Sequence, residues 1–412
     1  MFFKIKNSKL LLYFFSFLFA FFIFTNNSTA SSLIRFENKA AKAFSVNHFF
    51  FLKVSDDKET QKITEQLKRL EISEFLNIFC RAYNYNANTV WTLELRNGDI
   101  TETTRKSVSS AITDERMFNA GGEFSEFITG YSKKYPAENL VITIYDRAKF
   151  INNNSFCILD QSIDLKKFAS ILEKIKSDTG RKINALQLDI DNVQCLELAY
   201  EIKESVDFII ASEEKIPQAG VPYFEILSGV LKNNDLDMRK FCFQFVSCWH
   251  KYFKDNLPFG EKATLSAFKT VETAMITEKL NIFLEDLISD MKNPEYSKII
   301  SAIIISKVRR YTDSKDMIDI FDLGRLVNEE VFEERVEQSS REFLASITNS
   351  ILKNSAFGDY GRIPGSYNSF GVASYMPLPA ASVNNYIQLN FANETLWKNF
   401  LEAYYSLTLQ KN

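Results

Sequence analysis

Two short segments carry the side chains best suited to chemistry. Tyr145-Asp146-Arg147 and Asp189-Ile190-Asp191 each close an apolar run and each end on charge. Arg147 offers a guanidinium that stays protonated, so it binds anions but cannot act as a base. Asp191 offers a carboxylate, which is a weak nucleophile toward a carbonyl carbon because the resulting anhydride is labile. A charge-assisted pair between Arg147 and Asp191 is expected, neutralising both in a half-buried cleft with little net gain in stability. Asp189 has two structural readings: a helix cap, or a partner of Arg147.

Thiolate–imidazole chemistry needs a cysteine beside a histidine. The chain has five cysteines and only two histidines, His48 and His250. If a helix starts at Asn192, Cys195 sits about 6 Å inside it, which suits packing rather than attack. Cys80 follows Phe79 and reads as core. Cys242 and Cys248 share a segment with Phe241, Phe245 and Trp249. Cys157 falls in a loop and is the expected free thiol. His48 opens a strand and reads as structural, and His250 reads as a surface or packing residue. No Cys–His pair can be nominated. The cysteines show neither CxxC nor metal-ligand spacing, so no metal, cofactor or small disulfide scaffold is implied.

These residues need elements to position them. Strands are expected at 48–54, 89–96, 140–145, 184–190 and 208–212. Helices are expected at 57–83, 122–135, 164–177 and 192–204. Strands separated by helices of this length imply parallel pairing with right-handed crossovers. Sites in such sheets form at the carboxyl ends of strands, where Arg147 and Asp191 lie. Beyond Tyr223 the pattern turns helical, at 236–254, 270–291, 295–311, 332–353 and 395–407. The stretch 356–382 is rich in Gly, Pro and Ser and reads as loops around a short strand. The expected organisation is a targeting segment over 1–30, an α/β domain over 46–230, and a helical C-terminal region over 231–412 packed upon it.

With 46% hydrophobic and 25% charged residues, the chain is of ordinary globular composition, and disordered or collagenous classes are excluded. A net charge of −3 gives no basic footprint for nucleic acid. Lys4, Lys6 and Lys9 precede an apolar run over 10–24, and Ser28-Thr29-Ala30 resembles a cleavage site. The run is shorter than the roughly 20 residues that span a bilayer. The expectation is a cleaved signal and a secreted or periplasmic protein, touching a membrane only if the signal stays uncleaved. Cleavage removes three lysines and takes the charge from −3 to −6. The cysteines then meet an oxidising compartment, and an odd number leaves at least one free or paired between chains.

Several segments, in order, resemble the clostripain family of cysteine peptidases. They are Tyr135-Pro136-Ala137, the strand ending Tyr145-Asp146-Arg147, Leu188-Asp189-Ile190-Asp191, and Glu197 to Ile202 (Glu-x-Ala-Tyr-Glu-Ile). Ala211-Ser212-Glu213-Glu214 with Pro217, Gly220, Pro222 and Tyr223 follows. Later blocks are Thr264 to Ala267, Ile318-Asp319, Gly371 to Pro377, Asn390-Phe391-Ala392 and Trp397. The resemblance covers roughly 46–405. It implies a caspase-like (caspase–hemoglobinase) α/β fold, a mainly parallel sheet flanked by helices. It also places Arg147 at the family's catalytic histidine position, Ala148 at the glycine after it, and Asp191 at its nucleophilic cysteine. Asp189 matches the aspartate that selects arginine or lysine in the family. Ile190 and Ala148 are expected to crowd the cleft, and Glu213 and Glu214 to add charge to its rim. The resulting reading is a secreted pseudopeptidase that binds a peptide or protein, with Asp189 as the seat for a basic side chain. The alternatives are a hydrolase with a displaced nucleophile and a structural envelope protein.

Overall fold

Runs of apolar residues without a polar break form strands covered on both faces, and they build the centre of this protein. A computed structural model describes residues 45–71, 75–106, 122–147, 151–152, 155–156, 163–232, 236–311, 316–358, 369–377, 386 and 388–409. The expected signal segment, Cys157 and Ala148 lie outside these residues. In chain order, the strands begin with β1 (Val46–Val54), β2 (Leu76–Asn84), β3 (Thr89–Arg96), β4 (Asp99–Lys106) and β5 (Asn139–Tyr145). A small pair, β6 (Ile151–Asn152) and β7 (Ser155–Phe156), precedes β8 (Ile183–Asp189) and β9 (Val206–Ala211). The remainder are β10 (Ala263–Lys269), β11 (Met317–Asp319), β12 (Ile351–Phe357) and β13 (Ala373–Tyr375).

Nine of these form one sheet in the order β12-β10-β9-β8-β5-β1-β2-β3-β4. The five central strands, β9 to β2, are parallel, and the flanking ones are antiparallel. All nine residues of β1 are buried. Phe49 and Phe51 face one core, while Phe50 and Leu52 face the other. The chain leaves β1 for β2 on one side and later adds β5 on the other. The crevice at the carboxyl ends of β1 and β5 is therefore the switch point where ligands bind in such sheets.

The helices follow their caps. Asp56 accepts the Glu59 N–H at 2.9 Å and starts α1 (Asp57–Lys68). The first face is covered by α2 (Glu123–Lys134), α3 (Leu165–Thr179), which closes at left-handed Gly180, and α4 (Leu196–Ile202). The second is covered by α1, α5 (Tyr223–Leu231) and α6 (Met238–Asn256). The later helices are α7 (Thr273–Asp290), α8 (Pro294–Ala302), α9 (Ile320–Glu330), α10 (Glu334–Ser350), α11 (Asn390–Glu394) and α12 (Trp397–Leu409).

The structure corrects several sequence expectations. The helix over 57–83 stops at Lys68, and the chain returns as β2, paired in parallel with β1. A short apolar run buried on both faces has no period that separates strand from helix. Asn97 and Gly98, both at positive φ, turn β3 back into β4, a polar strand the pattern did not show. The segment 332–353 divides into α10 and β12, and Thr264 to Ala267 lie in β10. Both strands extend the same sheet beyond residue 231. The helix expected from Asn192 begins at Leu196, because Asn192 is left-handed (φ 57°).

Buried carboxylates fasten the C-terminal segments to this sheet. Glu197 Oε1 accepts from Ser374 Oγ and the Tyr375 N–H at 2.8 Å, and from Tyr386 at 3.1 Å. Glu213 accepts from Tyr311, Ser369 and the Gly371 N–H, while Asp319 accepts from Tyr311 and the Phe370 and Asp322 N–H groups. Tyr311 thus bridges two buried acids. Burial, then the Asp319 charge, pushes the Glu213 carboxyl well above its ordinary range. Burial, opposed by its backbone donors, pushes Asp319 up to about 6. A raised carboxyl contributes stability that is complete below its unfolded pKa and lost as pH rises through the folded one. The thermal midpoint is therefore expected to rise on acidification from about pH 7 to about pH 5, and Asp319→Asn to flatten that rise. A midpoint that falls over this interval contradicts the assignment.

Candidate functional site

The cleft lies at the carboxyl ends of the central strands. It encloses about 570 Å³ and is lined by Glu59, Arg147, Asp191, Glu214 to Gln218 and Gly260 to Lys262. Tyr145 and Asp189 are register partners in β5 and β8. Arg147 is two residues past the end of β5, and Asp191 two past the end of β8.

Asp189 is the buried centre of the site. Its side chain is 1% exposed, and both carboxylate oxygens are engaged. Oδ1 accepts from Arg147 Nη1 at 3.2 Å, and Oδ2 accepts from the Tyr223 hydroxyl at 2.8 Å. Pro222-Tyr223 begins α5, so that helix delivers the hydroxyl under the sheet end. Arg147 also donates from Nε to the Tyr145 hydroxyl at 3.1 Å, and its guanidinium lies 4.3 Å from the Tyr145 ring centre. Tyr145 in turn donates to Glu59 Oε1 at 3.2 Å. Glu59, Tyr145, Arg147, Asp189 and Tyr223 thus form one hydrogen-bonded string. Burial acts to lower the Arg147 pKa, but Asp189, Tyr145 and Asp191 together hold it above its usual value. Burial, followed by the Asp189 charge, raises Tyr223 far above the ordinary phenol range.

Arg147 therefore pairs with Asp189, which corrects the expectation of an Arg147–Asp191 ion pair. Asp191 Oδ1 accepts instead from the Ile216 N–H at 2.8 Å. After Asp191 the chain turns at Asn192, whose N–H donates to Glu214 O and whose Nδ2 donates to Glu213 O. That turn carries Asp191 toward the loop after β9. Burial raises the Asp191 carboxyl; the Ile216 N–H, Arg147 and Lys215 act against this. Among the described residues Asp191 neither caps a helix nor meets a general base. Asp189 does not cap α4 either, since Cys195 occupies that position.

Two further expectations change. Ile190 is 1% exposed and packs in the core below the sheet, so it does not crowd the cleft. Glu213 and Glu214 are each 1% exposed, so this loop does not add charge to an open rim.

The cysteines and histidines lie apart from any dyad. Cys195 is buried, accepts from the Leu198 N–H at 3.5 Å, and burial raises its thiol pKa well above the usual value. Cys80 and Cys242 are buried, Cys248 is half-buried, and all four are unpaired. Buried His48 bonds Thr143 through Nε2 at 2.8 Å, and burial lowers its pKa to about 3. His250 bonds Ser355 at 2.7 Å and stacks on Phe357. Among the described residues no hydrogen bond joins a cysteine to a histidine, and no group of three or more potential ligands could hold a metal ion. Sequence reasoning gave no role to Glu59, Tyr145 or Tyr223. The available signals were Tyr145 at a strand end and Tyr223 opening a helix beside Pro222.

Removing Arg147 leaves one oxygen of a buried carboxylate without its donor. Arg147→Ala is expected to destabilise by about 2 kcal/mol, at the low end for a broken pair because the guanidinium is partly exposed. Adding Asp189→Asn should recover part of that loss in urea unfolding, and adding Asp191→Ala should recover none. The reverse ranking of the two double variants contradicts the pairing.

Comparison with known proteins agrees with the architecture. The model of the clostripain family, Peptidase_C11, matches residues 91–404, about three quarters of the chain, and the chain belongs to that family. No curated protein matches the chain. An inactive zymogen C11 protease from Parabacteroides distasonis superposes with a TM-score of 0.62 at 16% identity, covering 86% of this chain and 98% of its own. A secreted C11 cysteine protease from Bacteroides thetaiotaomicron, bound to an irreversible peptide inhibitor, gives 0.62 at 11% identity, covering 86% and 99%. A further structure of a secreted C11 cysteine protease from that organism gives 0.58 at 17% identity, covering 85% and 99%. The fold is the caspase-like α/β fold of these proteases. Among the described residues no helix is long and apolar enough to cross a membrane.

Proposed function

We propose that this clostripain-family protein is a secreted, non-catalytic pseudopeptidase whose cleft binds a peptide or protein partner. The observation that carries the reading is the Arg147–Asp189 pair at the strand ends. A cysteine peptidase of this family needs an imidazole after β5 and a thiolate after β8. The matching residues of this chain are Arg147 and Asp191, a permanent cation and a carboxylate. Neither supplies the proton transfers that acyl transfer requires. Cys195, the cysteine nearest in sequence, is fully buried, and its thiol pKa is raised rather than lowered. An open cleft of about 570 Å³ remains and is of a size that receives a side chain. The secretory part of the reading rests on the lysines and apolar run of the first thirty residues. The expected basic partner side chain would reach Asp189 only by displacing Arg147 from it.

The test is turnover of fluorogenic peptides carrying arginine or lysine before the scissile bond. The purified chain is expected to give no rate above buffer across the neutral pH range. Turnover that disappears in Asp191→Ala or Cys195→Ala overturns the non-catalytic reading.

A further inference from the structure

Beside the cleft, over Gly220, Lys62 comes close to Arg147, which lines the cleft, and both carry unused donors. Gly220 has a φ of +75°, and a side chain there would stand 3.5 Å from Lys62 Nζ and 3.8 Å from Arg147 Nη2. The two nitrogens therefore lie within about 7 Å of one another. Arg147 commits Nε to Tyr145 and one Nη1 hydrogen to Asp189, and no acceptor meets Nη2 among the described residues. Lys62 is exposed on α1, and among the described residues it makes no ion pair. Glycine leaves the space between them open.

We propose that Lys62 and Arg147 form a carboxylate-binding seat over Gly220, at the edge of the cleft that Arg147 lines, so that this edge takes an acidic group of a peptide rather than a basic one. This rests on the peptide-binding reading above and deepens it. A carboxylate measures about 2.2 Å between its oxygens and forms charge-assisted hydrogen bonds of about 2.8 Å, so it bridges a gap of this width. Asp189 fixes the guanidinium from behind, so little side-chain freedom is lost on binding. The other acids of the cleft are already held: Asp191 by the Ile216 N–H, and Glu59 by Ser55 and Tyr145. Lys215 and Lys262 also line the cleft, but only Lys62 and Arg147 stand together over Gly220. The carboxylate comes either from an Asp or Glu side chain or from a peptide C-terminus.

The probes are fluorescent, N-acetylated, amidated hexapeptides identical except for one central Asp, Glu, Arg, Lys or Ala, together with the Ala peptide bearing a free C-terminal carboxylate. Anisotropy with the purified full chain should show roughly tenfold tighter binding for a carboxylate-bearing peptide than for amidated Ala. A preference for Asp and Glu identifies a side-chain carboxylate, and a preference for the free terminus identifies a C-terminal one. Lys62→Gln, an exposed substitution that leaves the buried string intact, should weaken that preference severalfold, and Arg147→Gln should abolish it. Binding of all peptides with no acidic preference, or with a preference for Arg and Lys, overturns the seat but leaves the peptide-binding reading standing. Binding of no peptide at all overturns both.

Discussion

A carboxylate without solvent at the end of a central strand has to be met by donors, and Asp189 sets that constraint for the whole cleft. Tyr223 answers one oxygen from the start of α5, and Arg147 answers the other from beyond β5. Each donor is fixed in turn, Arg147 by the ring and hydroxyl of Tyr145, and Tyr145 by Glu59 on α1. The loop after β5 and the helices α1 and α5 are therefore tied to a single point. A lone ionised carboxylate at that depth would be costly, because neither water nor a mobile counterion reaches it.

The same physics holds the second half of the chain. Glu197, Glu213 and Asp319 are buried, and each accepts from backbone or hydroxyl donors far away in sequence. Through them, the segment around β13 closes over the loops that follow β8 and β9. The walls of the cleft are thus set by hydrogen bonds to buried acids as much as by apolar packing. The fold of the C11 proteases is present here, with Arg147 and Asp191 two residues beyond the ends of β5 and β8.

Much of this was legible in the sequence. The apolar runs gave four of the five parallel strands, β1, β5, β8 and β9, while the strand at 89–96 pairs antiparallel; the position of Arg147 and Asp191 at strand ends followed from the α/β pattern. The strand β2 itself did not, since 76–83 reads as helix and a strand buried on both faces carries no alternation. The partner of Arg147 was one of two acids separated by two residues. Tyr145 and Asp189 are in register, so a ladder continued past them would set Arg147 beside Asp191. The left-handed turn at Asn192 ends that ladder and sends Asp191 to Ile216. A turn set by one asparagine and by contacts to a distant loop is not visible in local periodicity. Nor was the exposure of Glu213, since its partners Tyr311, Ser369 and Gly371 lie about 100 residues or more away.

The most direct measurement is a crystal structure of the purified chain at neutral pH, refined finely enough to place the Arg147 guanidinium. The account predicts Arg147 Nη1 on Asp189, Tyr223 on the other oxygen, and Asp191 on the Ile216 N–H. Arg147 turned onto Asp191 or into solvent, with Asp189 facing an open pocket, would contradict it.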